Sequence, residues 1–445
     1  MNIFFWLKPG IKIKRWIILV LFGITLITIG IKELFDNNIK IILGDEYIIP
    51  SIMAGIILVI ISAYKGGKRL ATILVNAYSN PVFSGWKNAN NLYDNSVLDK
   101  GLKVVVIGGG TGLSVLLRGL KRFTSNITAI VTVADDGGGS GKLREDLGML
   151  PPGDIRNCIL ALADTEPLME KLLQYRFEEG TYKNQSFGNL LIAAMAGISD
   201  SFEDAIKRIN DIFAVAGKVV PVTTQDITLY AKLANGKIIK GESQIPIKSK
   251  ELDSPIENVF LKPKKIKPVS EAKEALIDAD VIILGPGSLY TSILPNLIVE
   301  DITKMIEKSS AVKVYVSNVM TQPGETDGYS VADHVKAIID HTGEDIIEYV
   351  YANNKDIPEE ISVKYKEEGA KPVKIKEENK DFFKNHCIKL IQDNYIEVKK
   401  GYLRHDALKL SEAILEMVIN KRYNKDKIRF FELNSIMKKV KNNKI

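Results

Sequence analysis

Apolar and polar positions are distributed along this chain in two regimes. Near the N-terminus, residues 16–31 are almost wholly apolar and the run fades near Phe35, while residues 47–64 form a second apolar run without charge. Each is close to the length a helix needs to cross a bilayer. From residue 103 onward, short β-branched runs alternate with stretches whose apolar residues recur every three or four positions. That combination predicts buried parallel strands joined by helices. Residues 104–107 predict the first strand, and Leu113, Leu116, Leu117 and Leu120 mark the helix after it. Residues 126–133, 280–284 and 312–316 predict further strands. Residues 228–246 instead predict an antiparallel hairpin, because two short strand-like runs flank the turn pair Asn235 and Gly236. Residues 70–100 show little periodicity and predict a linker.

The expected fold class is α/β: a three-layer Rossmann-like domain with a mostly parallel sheet and a small β-hairpin subdomain, preceded by a two-helix transmembrane hairpin. The expected boundaries are 1–69 for the membrane hairpin, with spans at about 16–35 and 47–64, then 70–100 for a juxtamembrane linker. A nucleotide-binding domain at 101–420 and a basic C-terminal tail at 421–445 complete the chain. Lys8, Lys12, Lys14 and Arg15 precede the first span, and Lys65, Lys68 and Arg69 follow the second. By the positive-inside rule both termini and the globular domain face the cytoplasm, as expected of a multi-pass protein of the cell membrane. No small-residue cleavage site follows the first run, which argues against a removable signal peptide. The net charge of +6 is modest for 445 residues, yet residues 421–444 concentrate Lys and Arg around Tyr423, Phe430 and Phe431. A solvated tail attracted to the anionic inner leaflet explains this more simply than nucleic-acid binding, so no nucleic-acid partner is expected. The two cysteines, Cys158 and Cys387, are too widely spaced for a disulfide framework or a metal cluster.

Candidate chemistry begins where the first strand ends. Gly108, Gly109, Gly110, Thr111 and Gly112 occupy the strand-to-helix turn, where unpaired N–H groups and the helix dipole suit a phosphate. Alternatively, the glycines only permit a tight turn and close packing. The dinucleotide fingerprint is incomplete: its third glycine is Val115 when counted from Gly110 and Leu113 when counted from Gly108, so NAD is not expected. The second strand delivers Asp135 and Asp136, for a ribose hydroxyl or as ligands of a Mg²⁺ ion that also bridges phosphates, or else simply for a turn. Ser140, Lys142 and Arg144 add donors nearby. Asp154 is a candidate N-cap, and Arg156 on the first turn of that helix is a candidate ligand of a phosphate or of one of the paired aspartates, or a surface ion-pair partner. Asn189 suits a sugar hydroxyl or base edge, or a helix cap. Gly285, Gly287 and Ser288 repeat the strand-then-glycine arrangement and should converge on the same crevice, where Tyr290 stacks on a base or is a core tyrosine. Asn318 and Thr321 open a polar loop that continues with Gln322, Glu325, Thr326 and Asp327. His334 and His405 each adjoin an aspartate, which favours local contacts over catalysis, and no catalytic base or nucleophile can be assigned.

The segments Gly108-Gly-Gly-Thr-Gly112, Thr132-Val-Ala-Asp-Asp-Gly137, Leu150-Pro-Pro-Gly-Asp-Ile-Arg-Asn157 and Gly188-Asn-Leu-Leu191 together resemble the YvcK/CofD-like family. Leu284-Gly-Pro-Gly-Ser-Leu-Tyr-Thr-Ser-Ile293 and Asn318-Val-Met-Thr-Gln-Pro-Gly-Glu-Thr-Asp327 extend the resemblance from Lys103 towards the C-terminus. The nearer branch resembles the gluconeogenesis factor family, bacterial proteins needed for normal cell shape on gluconeogenic carbon sources, with UDP-sugars such as UDP-N-acetylglucosamine as ligands. The resemblance therefore implies a membrane-tethered, UDP-sugar-binding regulatory protein that links carbon metabolism to envelope synthesis. A nucleotide-sugar ligand, protein partners and a homo-oligomer go with that expectation. The more distant branch contains 2-phospho-L-lactate transferase, which moves a phospholactyl group from a guanosine nucleotide with Mg²⁺ assistance. It implies the alternative, a Mg²⁺-dependent transferase of a phosphorus-containing group.

Overall fold

The computed structural model describes residues 14–35, 48–78, 97–163, 167–399 and 401–442. The chain forms two units, Met1–Val97 and Leu98–Ile445. In the first, helices α1 (Lys14–Phe35) and α2 (Ile48–Tyr78) pack against each other. Their segments Arg15–Lys32 and Ile48–Lys68 are long and apolar enough to cross a membrane, and only 11% and 17% of those windows is buried by protein. Small residues let the backbones approach: a Cβ on Gly55 would stand 2.7 Å from the Gly23 carbonyl oxygen. α2 continues through residue 78, so the first part of the expected linker is helical. Its glycines, Gly66 and Gly67, lower helix propensity without removing a backbone donor, as proline would. Lys8, Lys12, the side chains of Lys14 and Arg69, the intervening loop at 36–47 and residues 79–96 and 443–445 lie outside the described residues.

The globular unit is built on strands β1 (Val104–Gly108), β2 (Ile127–Val131), β3 (Lys218–Pro221), β4 (Thr228–Leu233), β5 (Ile238–Lys240) and β6 (Ile256–Lys262). They are followed by β7 (Val281–Leu284), β8 (Val312–Val316), β9 (Tyr349–Asn353), β10 (Lys389–Asp393), β11 (Ile396–Lys399) and β12 (Tyr402–His405). Seven of these form one sheet in the order β10-β9-β8-β7-β1-β2-β3, with every neighbouring pair parallel. All residues of β1 and β7 are buried, so helices cover both faces of the sheet. The chain begins at the centre with β1, winds out to β3, and returns to β7 on the other side of β1. The strand order therefore reverses between β1 and β7, the position where open α/β sheets form a crevice beyond their carboxyl ends.

Connecting helices are α3 (Gly110–Leu120), α4 (Gly138–Leu147), α5 (Gly153–Leu162), α6 (Pro167–Gln174), α7 (Phe187–Gly197) and α8 (Phe202–Ile212). Beyond β3 come α9 (Gln244–Glu251), α10 (Ser270–Asp278), α11 (Leu294–Leu297), α12 (Ile302–Lys308), α13 (Val331–Thr342), α14 (Glu359–Glu367) and α15 (Lys380–Asn385). The predicted hairpin is present as β4 and β5 around the Asn235 and Gly236 turn, and β6 extends it to three strands. β11 and β12 form a second small antiparallel pair.

The expected solvated tail is instead part of the fold. Helix α16 (Ala407–Tyr423) crosses the expected boundary at 420, and α17 (Lys427–Asn442) buries Leu433, Ile436 and Met437. These meet Leu102, Phe123, Leu415 and Ile419 in one apolar joint. The apolar residues of 421–445 recur at helical spacing, a periodicity outweighed in the sequence by the density of Lys and Arg.

Candidate nucleotide crevice

Both glycine loops meet at the switch point, as their repeated strand-then-glycine pattern predicts. Asn296 on α11 donates to the Gly108 carbonyl at 3.0 Å, and a Cβ on Gly112 would stand 2.5 Å from the Pro286 carbonyl oxygen. Gly285, with φ +77°, makes the turn out of β7. Gly287 and Ser288 are half-buried beside it, and the Ser288 hydroxyl donates to Gln322 Oε1 at 2.5 Å.

The expected phosphate position at the start of α3 is filled by protein. Asp154 is not an N-cap: α5 begins at Gly153, and the first-turn carboxylate of Asp154 reaches across to accept from the Gly110 N–H. A Cβ on Gly109 would stand 2.7 Å from Asp154 Oδ2 and 2.8 Å from the Ser292 hydroxyl, and one on Gly110 would collide with the same carboxylate. These glycines admit an internal carboxyl group where a pyrophosphate was expected. Thr111 is exposed at the edge of this turn and Gly112 half-buried.

The open cavity lies one helix away. Asp135, Gly137, Gly138, Gly139, Ser140, Gly153, Asp154, Arg156, Asn157, Arg176 and Asn189 line a polar cleft of about 190 Å³. The N-terminus of α4 opens into it, with Gly137 as N-cap and no side chain capping the first N–H groups. Arg156 is fixed by neutral partners: it donates to the Ser186 hydroxyl, to Asn189 Oδ1 at 2.7 Å and to Asn157 Oδ1 at 2.9 Å. Asn189 is therefore a positioning residue on α7, whose N-cap is Ser186. Burial and the neighbouring Arg176 guanidinium lower the Arg156 pKa to about 10.

Two carboxyls of the cleft, and Glu242 in their electrostatic reach, resist ionisation. Burial, with Asp135 alongside, raises Asp154 to about 7. Burial also raises Asp135, against hydrogen bonds from the Gly137 N–H at 2.9 Å and from Ser140. Glu242 rises to about 8 through burial and then the fields of Asp135, Asp154, Glu325 and Asp136. Nothing local in the sequence marks Glu242, which arrives from the loop after β5, more than one hundred positions from Asp135. Asn157 and Arg176 were also missed, although Asp154, Arg156 and Asn157 share the first turn of one helix.

Several expected site residues face elsewhere. In the loop that follows β2, Asp136 turns from the cleft to accept from the Ser243 N–H at 2.9 Å. Of the two aspartates only Asp135 lines the cleft, and among the described residues no group of three or more His, Cys, Asp or Glu is arranged to hold a metal ion. Lys142 is exposed on α4 and does not line the cleft. Tyr290 is a core residue, 2% exposed, with its hydroxyl 2.7 Å from that of Tyr329 and its ring edge-on to His341. The Thr321 hydroxyl accepts from the Lys371 N–H at 2.9 Å and joins two loops, while Asn318 keeps a buried Oδ1 without a partner beyond β8. His334 is buried with Nδ1 2.8 Å from the Ser330 carbonyl. Burial pushes His405 down to about 4 beside the Ser317 carbonyl. Neither histidine enters the cleft.

A parallel sheet with two glycine loops at its switch point defines a doubly wound α/β protein, a class whose ligands bind beyond the carboxyl ends of the strands. The family description "2-phospho-L-lactate transferase CofD" matches residues 104–396. Proteins named gluconeogenesis factor are similar over most of their length. That of Halalkalibacterium halodurans is 50% identical over 70% of this chain and 95% of its own. That of Bacillus subtilis is 46% identical over 71% and 98%. A Clostridium acetobutylicum protein whose name also reads gluconeogenesis factor is 46% identical over 99% of this chain and 97% of its own. A solved structure of a UPF0052 family member from Bacillus halodurans superposes with a TM-score of 0.67 at 48% identity, covering 70% of this chain and 99% of that one. The chain belongs to the gluconeogenesis factor family, with a CofD-like domain.

Proposed function

We propose that the chain is a membrane-tethered regulatory protein that binds a nucleoside diphosphate sugar of the UDP-N-acetylglucosamine type in the α4 cleft. The carrying observation is the half-buried Arg156 guanidinium, with the exposed Arg176 guanidinium near enough to lower its pKa, lining one cleft with the N-terminus of α4, which no side chain caps. Like charges held in this way favour an anionic counterpart, and the helix N-terminus adds donors for its oxygens. The polar groups of Asn157, Asp135 and Asp154 then suit sugar hydroxyls. The carboxyls do not fit a metal site built by protein alone, so Mg²⁺ enters this proposal only as an ion accompanying the diphosphate. Signalling to envelope synthesis would run through protein partners, with the globular unit on the cytoplasmic side of the two spans.

A second reading, transfer of a phosphorus-containing group, is favoured by Asp154 and Glu242, whose pKa values of about 7 and 8 suit proton exchange near neutrality. Calorimetry on the full chain in lipid nanodiscs distinguishes the readings, using UDP-N-acetylglucosamine, GDP and NAD with and without Mg²⁺. Binding of the UDP-sugar, recovered unchanged and weakened at least tenfold by Arg156→Gln, supports the sensor. Preferred GDP binding with turnover of a phospho-substrate moves the assignment to the transferase. No binding of any nucleotide by a folded chain overturns both.

A further inference from the structure

Helix α17 has two unlike faces. Leu433, Ile436 and Met437 are buried, whereas Ile428 and Phe431 stand 85% and 69% exposed about one turn apart. Ser435 and Lys438 continue the exposed stripe at helical spacing, and Lys425 and Lys427 flank its start, with Asp426 between them. Glu432 does not neutralise these lysines, because it pairs with Lys100 at 2.8 Å and Arg429 at 3.1 Å. A large aliphatic and a phenyl ring in water, bordered by lysines, is the composition of a helix lying in a lipid interface. Lysine stems cover apolar surface there while the ammonium groups meet anionic headgroups.

The path of the chain identifies the occupant. Arg429 donates to the Gly101 carbonyl at 3.4 Å, and the Gly101 N–H donates to Leu98, so α17 lies on the segment by which the chain enters the globular unit. Only residues 79–97 separate that segment from α2, a reach of roughly 60–70 Å at full extension. We propose that the Ile428, Phe431, Ser435 and Lys438 stripe rests on the anionic lipid surface of the membrane that α1 and α2 span. The proposal rests on the membrane-tethered reading.

The test uses the full chain with Cys387→Ser and a spin label on Ser435→Cys; the remaining thiol, Cys158, is buried. The label's collision rates with oxygen and with an aqueous nickel chelate are compared in phosphatidylcholine vesicles with and without phosphatidylglycerol. A severalfold rise in the oxygen-to-nickel ratio with phosphatidylglycerol, abolished by Ile428→Ser with Phe431→Ser, is the expected result. An equally aqueous label in both vesicles overturns the proposal, as does dipolar broadening between labels, which would show a second copy on the stripe. Alkaline carbonate extraction separates the two readings: a chain that stays with the vesicles while its label stays aqueous loses only the α17 contact. A chain that is extracted loses the tether and the contact together.

Discussion

The carboxylate of Asp154 lies over the Gly110 N–H, a position that elsewhere in such folds receives a phosphate. Burial and Asp135 keep it protonated up to about pH 7. Its deprotonation adds a negative charge to the cleft, so diphosphate binding should weaken as pH rises from about 6 to 8. Asp154→Asn removes that charge, which near a protein surface is worth about 1 kcal/mol, or roughly fivefold in affinity. Titrations at several pH values should show a flatter profile for the variant; an unchanged profile would remove Asp154 from the site. Glu325 gives a stability counterpart. It is 3% exposed, its Oε1 accepts from Thr291 at 3.1 Å and from Gln322, its Oε2 has no partner, and burial raises it to about 7. A folded-state pKa above the unfolded one means that stability is lost as pH rises between about 4.5 and 7. Glu325→Gln should therefore match the parent near pH 5 and gain up to about 3 kcal/mol by pH 8 in urea unfolding. A variant weaker at every pH would mean that the carboxylate is held ionised.

At the scale of elements, hydrophobic period carried far. It placed β1, α3, β2, β7 and β8 within a few residues, and the Asn235 and Gly236 pair placed the hairpin. It failed at α17, where charge density masked a buried stripe, and at the α4 cleft, whose walls come from four separate stretches of sequence. Arg156 was legible, while Asp154 and Asn157 on the same turn were not read as cleft residues; Glu242 was not legible because only the returning loop after β5 brings it near. Which of two neighbouring aspartates faces the cleft depends on the path of the loop after β2, and spacing does not reveal it. Gly119 offers a test of the packing that spacing did not show. A Cβ there would meet the Ala407 carbonyl and the Ser411 hydroxyl, since α3 lies directly on the start of α16. Backbone cannot yield as a flexible side chain can, so Gly119→Val should cost about 3 kcal/mol in urea unfolding. A cost below 1 kcal/mol would show that this contact is loose.

For the whole molecule, the division at Val97 and Leu98 separates the two long apolar helices from the cleft. The residues lining the cleft, from Asp135 to Asn189, all belong to the Leu98–Ile445 unit, and so does the apolar joint under α17. The similar Bacillus halodurans structure covers 99% of its own chain while matching 70% of this one, which shows that a chain about this much shorter folds by itself. A fragment beginning at Leu98 should accordingly unfold in one cooperative transition, whereas membrane insertion should disappear with α1 and α2. On the proposed function, its affinity for UDP-N-acetylglucosamine should lie within about threefold of the full chain's, because no cleft residue is removed and binding energy follows local contacts. Calorimetry and flotation on the two chains measure both quantities. A folded fragment that no longer binds would mean that the first unit, or the bilayer it enters, shapes the cleft, and the membrane would then be part of the binding site as well as its address.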